Sequence, residues 1–421
     1  MDNRPVVTFH TLGCKLNQAE TEHLTFQFAE AGYCIATDEN ADICILNTCT
    51  VTHIADRKSR HILRLLRKKN PNAFIVAAGC YADRDPQKLD QTGIDLVIGN
   101  NQKMDLIKLI EKNLADNQSR LNRSSTGNCF SRVRSFIKIQ DGCNDYCSYC
   151  IVPLVRGQEV SLSADEIISQ IKSRVAAGYN ETILTGTKIG TYNYNGTDLQ
   201  KLINRILNET DIKRLHLSSL QPQEISKELL GLWQDSRLCR HFHIALQSGS
   251  ETVLQRMRRH YSLSDYNRAI SMVRQSIPDP AITTDIMVGF PGESEKEFDE
   301  TLQFCQDREF AAIHVFTYSP RPGTLAKDMD GQVNDRKKKE RSLKMLALAR
   351  ESRQKFNKQF IGQITEVLWE SEVGPYSGIY SGLTDNYIRL YTYSHQPINN
   401  QIISTRLIKK YKQGLWGELA R

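Results

Sequence analysis

Residues 141–153 read "DGCNDYCSYCIVP", and this stretch places Cys143, Cys147 and Cys150 in a C-x3-C-x2-C pattern. Three thiols this close together indicate a metal site. Structural zinc sites are closed by four ligands, and no histidine lies nearby in the sequence, so zinc does not fit the ligand count. A [4Fe-4S] cluster on three cysteines leaves one iron open to a small molecule, whereas an electron-transfer ferredoxin site needs four cysteines per cluster. The pattern therefore favours a cluster with one open iron.

The composition is that of an ordinary globular protein, with 40% hydrophobic and 24% charged residues among 421. This length predicts two or three domains. No run approaches the roughly 20 apolar residues of a membrane span, and the first residues lack the layout of a secretory signal, so we expect a cytoplasmic protein without a membrane partner. Eleven cysteines in a reducing compartment indicate metal or redox chemistry rather than disulfides. The net charge of +7 permits a polyanionic partner without requiring one.

The first hundred residues alternate between strand-like runs such as "ADICILNT" and helix-like runs such as "ADRKSRHILRLLRKKN", which predicts βαβ units and a parallel sheet. Cys14, Cys49 and Cys80 each come just after one of the predicted strands. Because the loops at the carboxyl ends of parallel strands meet at one edge, these cysteines could meet in space as a shared ligand set. The alternative is that cysteines are simply frequent in buried strands, as Cys44 is expected to be.

Beyond a polar, Ser- and Asn-rich stretch, a second βα series begins with "SFIKIQ" and predicts a complete or partial barrel with its function at the strand carboxyl ends. The cysteine loop follows the first strand of that series. The tail alternates apolar and polar residues like a small antiparallel β-barrel. The overall expectation is an α/β protein with an N-terminal parallel-sheet domain, a linker, a βα-barrel domain and a small β-barrel, with boundaries at 1–118, 119–134, 135–354 and 355–421.

Three cysteines with an aromatic residue, Tyr149, just before the last one resemble the signature of radical S-adenosylmethionine enzymes. The resemblance extends along nearly the whole chain. Taken together, the sequence resembles the methylthiotransferases, which join an N-terminal auxiliary-cluster domain to a radical barrel and a C-terminal RNA-binding TRAM domain. The segments that carry this resemblance are "TLGCKLNQAETE", "LNTCTVT", "AAGCYA", "IQDGCNDYCSYCIVP", "LTGTKIG", "HIALQSGS", "VLQRMRRHYS" and "TTDIMVGFPGE".

The resemblance implies S-adenosylmethionine and two [4Fe-4S] clusters as cofactors. One cluster would be held by Cys143, Cys147 and Cys150, and the second, which holds or supplies the sulfur to be inserted, by Cys14, Cys49 and Cys80. No catalytic residue beyond these ligands is assigned. The glycines of the implied nucleotide pocket have an alternative reading as tight βα turns that need no ligand. The residues that the resemblance assigns to the S-adenosylmethionine pocket are Tyr149, Thr185, Gly186, Gln247 and Gly289.

Within the family, "GCKLNQAE" and "NTCTVTHIADRKSR" are similar to the branch that acts on threonylcarbamoyladenosine. That branch implies methylthiolation at C2 of N6-threonylcarbamoyladenosine at position 37 of tRNA, with S-adenosylmethionine as both methyl donor and radical source. The implied partners are a tRNA anticodon loop, an electron donor protein and a sulfur source. The alternatives are the same chemistry on isopentenyladenosine in tRNA or on an aspartate of a ribosomal protein, or a non-catalytic two-cluster electron carrier or iron-sulfur sensor.

Basic residues in two regions are compatible with RNA binding, because lysine and arginine contacts to phosphates supply nonspecific affinity. The first region is the helix after Cys49, and the second is the tail, where basic residues interleave with tyrosines. A charge run on a helix is also typical of an ordinary solvated face. The candidate RNA contacts are Arg57, Lys58, Arg389, Arg406, Lys409 and Lys410.

Overall fold

The computed structural model describes residues 5–36, 41–116 and 133–420. By their internal contacts these residues form two compact units. The first consists of described residues within 1–131 together with 136–160 and 319–327. The second consists of described residues within 132–135, 161–318 and 328–421. Most of the stretch expected to be a linker, with Cys129, lies outside the described residues.

A five-stranded parallel sheet forms the centre of the first unit, in the order β2-β1-β3-β4-β5. Alternate residues of β3 point into two separate apolar clusters, with Cys44 and Leu46 in one and Ile43 and Ile45 in the other. A sheet buried on both faces needs such continuous apolar strands. The strands are β1 (Val6–Thr11), β2 (Cys34–Ala36), β3 (Ile43–Thr48), β4 (Phe74–Gly79) and β5 (Leu96–Ile98).

Helices connect these strands, and the second of them begins at a capped end, where the Thr52 side chain accepts a hydrogen bond from the Ala55 amide. The helices are α1 (Lys15–Glu30), α2 (His53–Lys69), α3 (Cys80–Arg84), α4 (Pro86–Asp90) and α5 (Leu106–Asp116). The stretch with the C-x3-C-x2-C pattern follows two further strands and precedes a short helix. These elements are β6 (Arg134–Lys138), β7 (Gln140–Asp141), α6 (Val152–Arg156) and β8 (Val160–Ser161).

The second unit contains the βα series that the sequence predicts. Strand β9 pairs with β12, and β13, β14, β15 and β16 follow one another in a second sheet, all of them parallel. A small antiparallel hairpin of β10 and β11 interrupts the series. The strands are β9 (Glu181–Thr185), β10 (Asn193–Tyr194), β11 (Thr197–Asp198), β12 (Arg214–Leu217), β13 (Ser219–Leu220), β14 (His241–Ile244), β15 (Ala281–Val288) and β16 (Ala312–Thr317).

The helices of the second unit lie between these strands and after the last one. They are α7 (Ala164–Ala176), α8 (Leu199–Glu209), α9 (Lys227–Leu230), α10 (Glu251–Arg256), α11 (Leu263–Ser276), α12 (Glu295–Arg308) and α13 (Asp335–Lys358). Short 3-10 turns occur at Asn100–Asp105, Ile189–Thr191, Pro222–Glu224, Gly231–Gln234 and Leu325–Asp328. Among the described residues, we find no helix with the length and apolar character that a bilayer crossing requires.

A closed β-barrel ends the described chain, with strand order β17-β18-β19-β21-β20. Trp369, Leu390 and Leu407 fill its centre, and all three are fully buried. Helix α13 leads into the barrel and extends past residue 354, where the sequence pattern predicts a domain boundary. The barrel strands are β17 (Ile364–Glu372), β18 (Ile379–Thr384), β19 (Arg389–Tyr393), β20 (Ile402–Tyr411) and β21 (Gly414–Leu419). The expected small C-terminal β-barrel is therefore confirmed.

Candidate functional site

Cys14, Cys49 and Cys80 lie at the carboxyl ends of three neighbouring strands of the first unit, β1, β3 and β4. Cys14 is the residue before helix α1, and Cys80 is the first residue of α3. The turns of Cys14 and Cys49 are in direct contact, because a Cβ atom added to Gly13 would lie 2.8 Å from the Cβ of Cys49 and 3.1 Å from its Sγ. The three cysteines therefore lie at one edge of the sheet, and their role as a shared ligand set stays a prediction.

The protonation chemistry of these thiols fits a metal cluster. Burial, together with the neighbouring Cys14 and Cys80, raises the pKa of the Cys49 thiol to about 12. Burial also raises the pKa of Cys80. Such thiols keep their protons at neutral pH unless a cation replaces them, and binding of iron supplies that replacement. A set of three thiols at one sheet edge, with Cys49 and Cys80 costly to ionise alone, therefore fits a [4Fe-4S] cluster with one open iron.

Buried amides hold the first two of these turns together. The Asn17 side chain donates hydrogen bonds to the carbonyl of Leu12, 2.8 Å away, and to the carbonyl of Thr48, 3.0 Å away. The Asn47 side chain in turn donates to the carbonyl of Asn17 at 3.0 Å. Because Leu12 precedes Cys14 and Thr48 precedes Cys49, one asparagine ties the backbones of both cysteine turns to each other.

The loop that carries Cys143, Cys147 and Cys150 also belongs to the first unit. The Cys143 amide donates to the Gly157 carbonyl at 3.1 Å, and the Cys150 amide donates to the Cys147 carbonyl at 3.0 Å. Gly142 has φ +71°, and a Cβ there would lie 1.9 Å from the carbonyl oxygen of Gln158. The loop therefore closes on itself at a position that only glycine can occupy, and it presents its three cysteines within one short turn-rich segment.

A buried group of charged side chains lies beside both cysteine sets. The guanidinium of Arg156, only 3% exposed, contacts the carboxylate of Glu20 at 2.8 Å and that of Asp141 at 2.9 Å. Lys103 and Lys138 also pair with Glu20. Burial alone would raise the pKa of Glu20, but Lys103 and Arg156 hold it well below its usual range, so Glu20 is ionised.

Sequence patterns did not identify this charged group. Glu20 and Arg156 are separated by 136 residues, and no spacing rule connects them. The available signal was local: Glu20 lies in the first helix after Cys14, and Arg156 lies directly after "CIVPLV" in the cysteine loop. Charged residues so near to predicted metal ligands in the sequence are candidates for contacts that support the site, because residues around the ligands orient them and tune the metal.

Four of the residues assigned to the S-adenosylmethionine pocket lie at the carboxyl ends of parallel strands of the second unit. Thr185 ends β9 and Gly186 follows it, Gln247 follows β14, and Gly289 follows β15. Gln247 has φ +69°, a rare conformation for a residue other than glycine. Its amide donates to the Asp285 carbonyl at 2.8 Å, and its carbonyl accepts from the Met287 amide at 2.9 Å. Strand-end positions and local strain are typical of ligand sites.

The turn after β15 is supported from α13. The Gly289 amide donates to the Glu293 carboxylate at 2.6 Å, and Arg341 pairs with the same carboxylate at 2.8 Å. Both side chains are buried, with 0% exposure for Glu293 and 4% for Arg341. Tyr149, the fifth residue assigned to the pocket, lies in the cysteine loop of the first unit. Its contact with S-adenosylmethionine stays a prediction, as do those of the other four.

The residues proposed to contact RNA differ in side-chain exposure and in whether they are paired with an acidic residue. Arg57 and Lys58 on α2 and Lys409 and Lys410 on β20 have exposed side chains. Arg406 is exposed as well, although it also donates to the Gly362 carbonyl at 3.2 Å. Arg389 is half-buried and pairs with Glu370, so its charge is partly neutralised. Their contacts with RNA stay a prediction.

Two family models match the chain. Residues 137–305 match the radical SAM superfamily, and residues 6–99 match a family described as "Uncharacterized protein family UPF0004". The first match contains the C-x3-C-x2-C loop and the parallel strands β9 and β12 to β15 of the second unit. The second match contains Cys14, Cys49 and Cys80. Each set of three cysteines therefore lies within its own family match.

Curated relatives match nearly the whole chain. "Threonylcarbamoyladenosine tRNA methylthiotransferase MtaB" of Bacillus subtilis is 34% identical, over 96% of this chain and 94% of that protein. The protein of the same name in Thermotoga maritima is 34% identical, over 94% and 92%. "tRNA-2-methylthio-N(6)-dimethylallyladenosine synthase" of Thermodesulfovibrio yellowstonii is 33% identical, over 98% of both. Relatives from both tRNA branches therefore match at nearly equal identity.

Solved structures support the fold. The radical S-adenosylmethionine methyltransferase TsrM of Kitasatospora setae matches with a TM-score of 0.57 at 14% identity, over 77% of this chain and 74% of that chain. The cobalamin-dependent S-adenosylmethionine radical enzyme OxsB matches with a TM-score of 0.53 at 15% identity, over 80% and 56%. At these identities the likeness concerns the fold alone, and it confirms the expected α/β architecture with a radical SAM core.

Proposed function

The chain belongs to the methylthiotransferase family of radical S-adenosylmethionine enzymes, and from this premise we propose that it attaches a methylthio group to C2 of N6-threonylcarbamoyladenosine at position 37 of tRNA. The observation that carries the proposal is the presence of two three-cysteine sets in one compact unit. Such a pair suits a reaction that needs both a radical source and a sulfur source. The enzyme uses S-adenosylmethionine and two [4Fe-4S] clusters.

When bound, these cofactors supply a one-electron reduction of the sulfonium, a methyl group and the sulfur to be inserted. The protein supplies the ligands and the surroundings. Each set offers three thiols, which would hold three irons of a [4Fe-4S] cluster and leave the fourth without a cysteine. The buried side-chain amide of Asn17 holds the turns of Cys14 and Cys49 in place. Glu293 and Arg341 support the turn at Gly289, after strand β15.

The choice of threonylcarbamoyladenosine rests on the short motifs around Cys14 and Cys49 and on the names of the first relatives. A nucleotide in an anticodon loop is unpaired, so its base can leave the stack at low cost and reach an enclosed site. The exposed cations of α2 and of the C-terminal barrel supply phosphate contacts in this proposal. The reaction takes place in the cytoplasm, with a protein electron donor and a separate sulfur source, and residues 355–421 act as the TRAM domain.

The proposal is tested by mass spectrometry of nucleosides from the tRNA of a strain that lacks the gene. We expect the 2-methylthio derivative of threonylcarbamoyladenosine to be missing and to return when the wild-type gene is expressed, but not when the Cys49→Ala gene is expressed. Return of the 2-methylthio derivative of isopentenyladenosine instead would move the enzyme to the other tRNA branch. Unchanged tRNA would contradict the proposal and direct the search to a ribosomal protein.

A second measurement separates an enzyme from an electron carrier or sensor. Purified protein with both clusters is reduced in the presence of S-adenosylmethionine, and 5′-deoxyadenosine is quantified. We expect the wild-type protein to form 5′-deoxyadenosine and the Cys143→Ala variant to form none. Absence of 5′-deoxyadenosine from the wild-type protein at full iron content would favour the non-catalytic alternative.

A further inference from the structure

The first unit places one arginine between the two cysteine sets. We propose that Arg156 is a positioning residue that fixes the C-x3-C-x2-C loop against the turns of Cys14, Cys49 and Cys80, and that its charge raises the reduction potential of the cluster on those three cysteines. Both roles of Arg156 concern the two clusters and are independent of which tRNA nucleoside the enzyme modifies.

The position of Arg156 follows from a short helix. Arg156 is the last residue of α6, which begins directly after the cysteine loop. Ile151 and Val155 pack against Cys80 in a small buried cluster. The Asn100 side chain donates to the Val155 carbonyl at 2.8 Å and lies 3.7 Å from the Sγ of Cys80. The helix at the end of the C-x3-C-x2-C loop is thus in contact with Cys80, a candidate ligand of the other cluster.

The guanidinium of Arg156 extends this contact to the other two turns. Its Nη2 donates to the Oδ1 of Asn17 at 2.7 Å. Asn17 itself donates to the backbone before Cys14 and before Cys49, as described above. One side chain therefore connects the loop of Cys143, Cys147 and Cys150 to all three turns of the other set, through Asn17 on one side and α6 on the other.

Only an arginine can make this set of contacts. The guanidinium donates at the same time to Glu20, to Asp141 and to Asn17. A planar fork with five N–H groups can serve three acceptors in fixed directions, whereas a lysine ammonium is a compact charge on a flexible stem. Arg156→Lys therefore keeps the charge and loses the fork, which makes the two parts of the proposal separable.

Loss of the Arg156 charge makes the surroundings of the neighbouring cluster less favourable for an added electron. The charged group has three cations, Lys103, Lys138 and Arg156, and three anions, Glu20, Asp83 and Asp141, so it is neutral overall only while Arg156 is present. Most of it is buried, where charges are screened weakly. A buried positive charge stabilises the more negative, reduced form of a cluster, because potentials depend on net charge and hydrogen bonds near the sulfurs.

The test uses the full-length protein with Cys143, Cys147 and Cys150 changed to serine, so that only the cluster on Cys14, Cys49 and Cys80 is reconstituted. Reduction is followed by electron paramagnetic resonance against applied potential. In Arg156→Gln we expect the ratio of reduced to oxidised cluster at a fixed potential to fall at least tenfold, which corresponds to about 59 mV for one electron. Arg156→Lys is expected to stay within threefold of the parent.

Positioning is read separately by hydrogen–deuterium exchange of the segment 141–157 in protein with all cysteines intact and both clusters reconstituted. We expect faster exchange in both Arg156→Lys and Arg156→Gln, because the fork is lost in each. Arg341→Gln is the matched control, since it removes an equally buried guanidinium from the second unit. It should change neither the potential nor the exchange of this segment.

Either half of the proposal can fail. An unchanged potential in Arg156→Gln at four irons per chain would overturn the role of the charge, and unchanged exchange in both variants would overturn the positioning role. If Arg156→Gln no longer binds iron while Arg341→Gln does, positioning is supported, and Lys138→Gln then tests the charge by removing another cation from the same group. None of these readouts involves tRNA, so failure of the proposed substrate leaves them unaffected.

Discussion

Gly13 shows how a single residue decides whether the turns of Cys14 and Cys49 can meet. Its φ of +113° is unfavourable for other residues, and an added Cβ would lie 2.8 Å from the Cβ of Cys49. We expect Gly13→Ala to lose the cluster on Cys14, Cys49 and Cys80, so that iron falls from about eight to about four per chain. Metal analysis after reconstitution measures this directly.

Gly32→Ala is the control for Gly13→Ala. Gly32 also has a positive φ, +88°, but no atom lies within 4 Å of its added Cβ. It therefore carries the same kind of backbone strain, about 1 kcal/mol, without the steric contact. Equal iron loss in both variants would show that backbone strain, and not the approach to Cys49, causes the effect.

The two cysteine sets should fail in different ways. Cys143→Ala is expected to abolish 5′-deoxyadenosine formation, because it removes a ligand on the radical side. Cys49→Ala is expected to keep that formation and lose methylthio insertion, because it changes only the sulfur side. Both products are measured in one assay by liquid chromatography and mass spectrometry. Cys34→Ala, a half-buried residue of the edge strand β2, should lose neither. Loss of 5′-deoxyadenosine in Cys49→Ala would contradict the division of labour.

At the residue scale, the sequence indicates candidate ligands but not the residues that support them. The six candidate cysteines follow from spacing and from their positions after strands, because both signals are local, and their role as ligands stays a prediction. Arg156 and Asn17 are not found, since they are 139 residues apart and meet only in the folded chain. A buried hydrogen bond between distant residues depends on three-dimensional neighbours, so one sequence without its fold contains no pattern for it.

The contact between helix α13 and the turn after β15 carries a stability prediction. Arg341→Met leaves the carboxylate of Glu293, with 0% exposure, without its cation. Removal of one partner of a buried pair costs about 3–5 kcal/mol. Chemical denaturation should show this loss in the free energy of unfolding. The double variant Arg341→Met with Glu293→Gln should recover part of it, and the absence of recovery would indicate that lost packing is responsible.

The same pair predicts a direction with pH. Burial raises the pKa of Glu293 even though the Gly289 amide and Arg341 lower it. A carboxyl whose pKa is higher in the folded than in the unfolded state binds its proton more tightly when folded, so its unfavourable contribution shrinks as pH falls from the raised folded value toward about 4.3. The deficit of Arg341→Met should therefore be smaller at pH 5 than at pH 8. A deficit that grows on acidification would contradict this assignment.

At the element scale, alternation of strands and helices is predicted well because it depends on local periodicity. The buried runs "ICILNT" and "FIVAAG" become β3 and β4, and the alternating tail becomes a closed barrel. The strand–helix pattern does not predict which unit residues 136–160 belong to. These residues begin the second βα series in sequence, but contacts of α6 with Cys80 and Asn100 gather them with the first sheet.

For the whole molecule, the moderate net charge of +7 makes the location of exposed cations more informative than their number. Lys409 and Lys410 are exposed on β20. We expect Lys409→Ala with Lys410→Ala to weaken binding of tRNA and to reduce the slope of log affinity against log salt concentration by about two. Filter binding at several salt concentrations measures both quantities, and 5′-deoxyadenosine formation without tRNA should not change.

The control pair for this prediction is Lys108→Ala with Lys112→Ala, two exposed lysines of helix α5. Both pairs lower the net charge by two, so a general effect of charge would be equal in the two proteins. A local RNA contact would affect only the β20 pair. Equal weakening in both would show that the barrel surface has no special role.

Iron removal should affect the two units differently, because the first unit contains the turns of the six candidate cysteines. The turns after β3 and β4 carry the buried thiols of Cys49 and Cys80, which are compatible with bound iron, while the closed barrel of the second unit has an apolar core of its own. A ligand that binds the folded state stabilises the region that holds it. We expect chelation to increase hydrogen–deuterium exchange in these turns and in 141–157 and to leave β17–β21 unchanged, as measured on the same protein before and after reconstitution. A uniform increase across both units would mean that the clusters stabilise the whole chain as one cooperative structure.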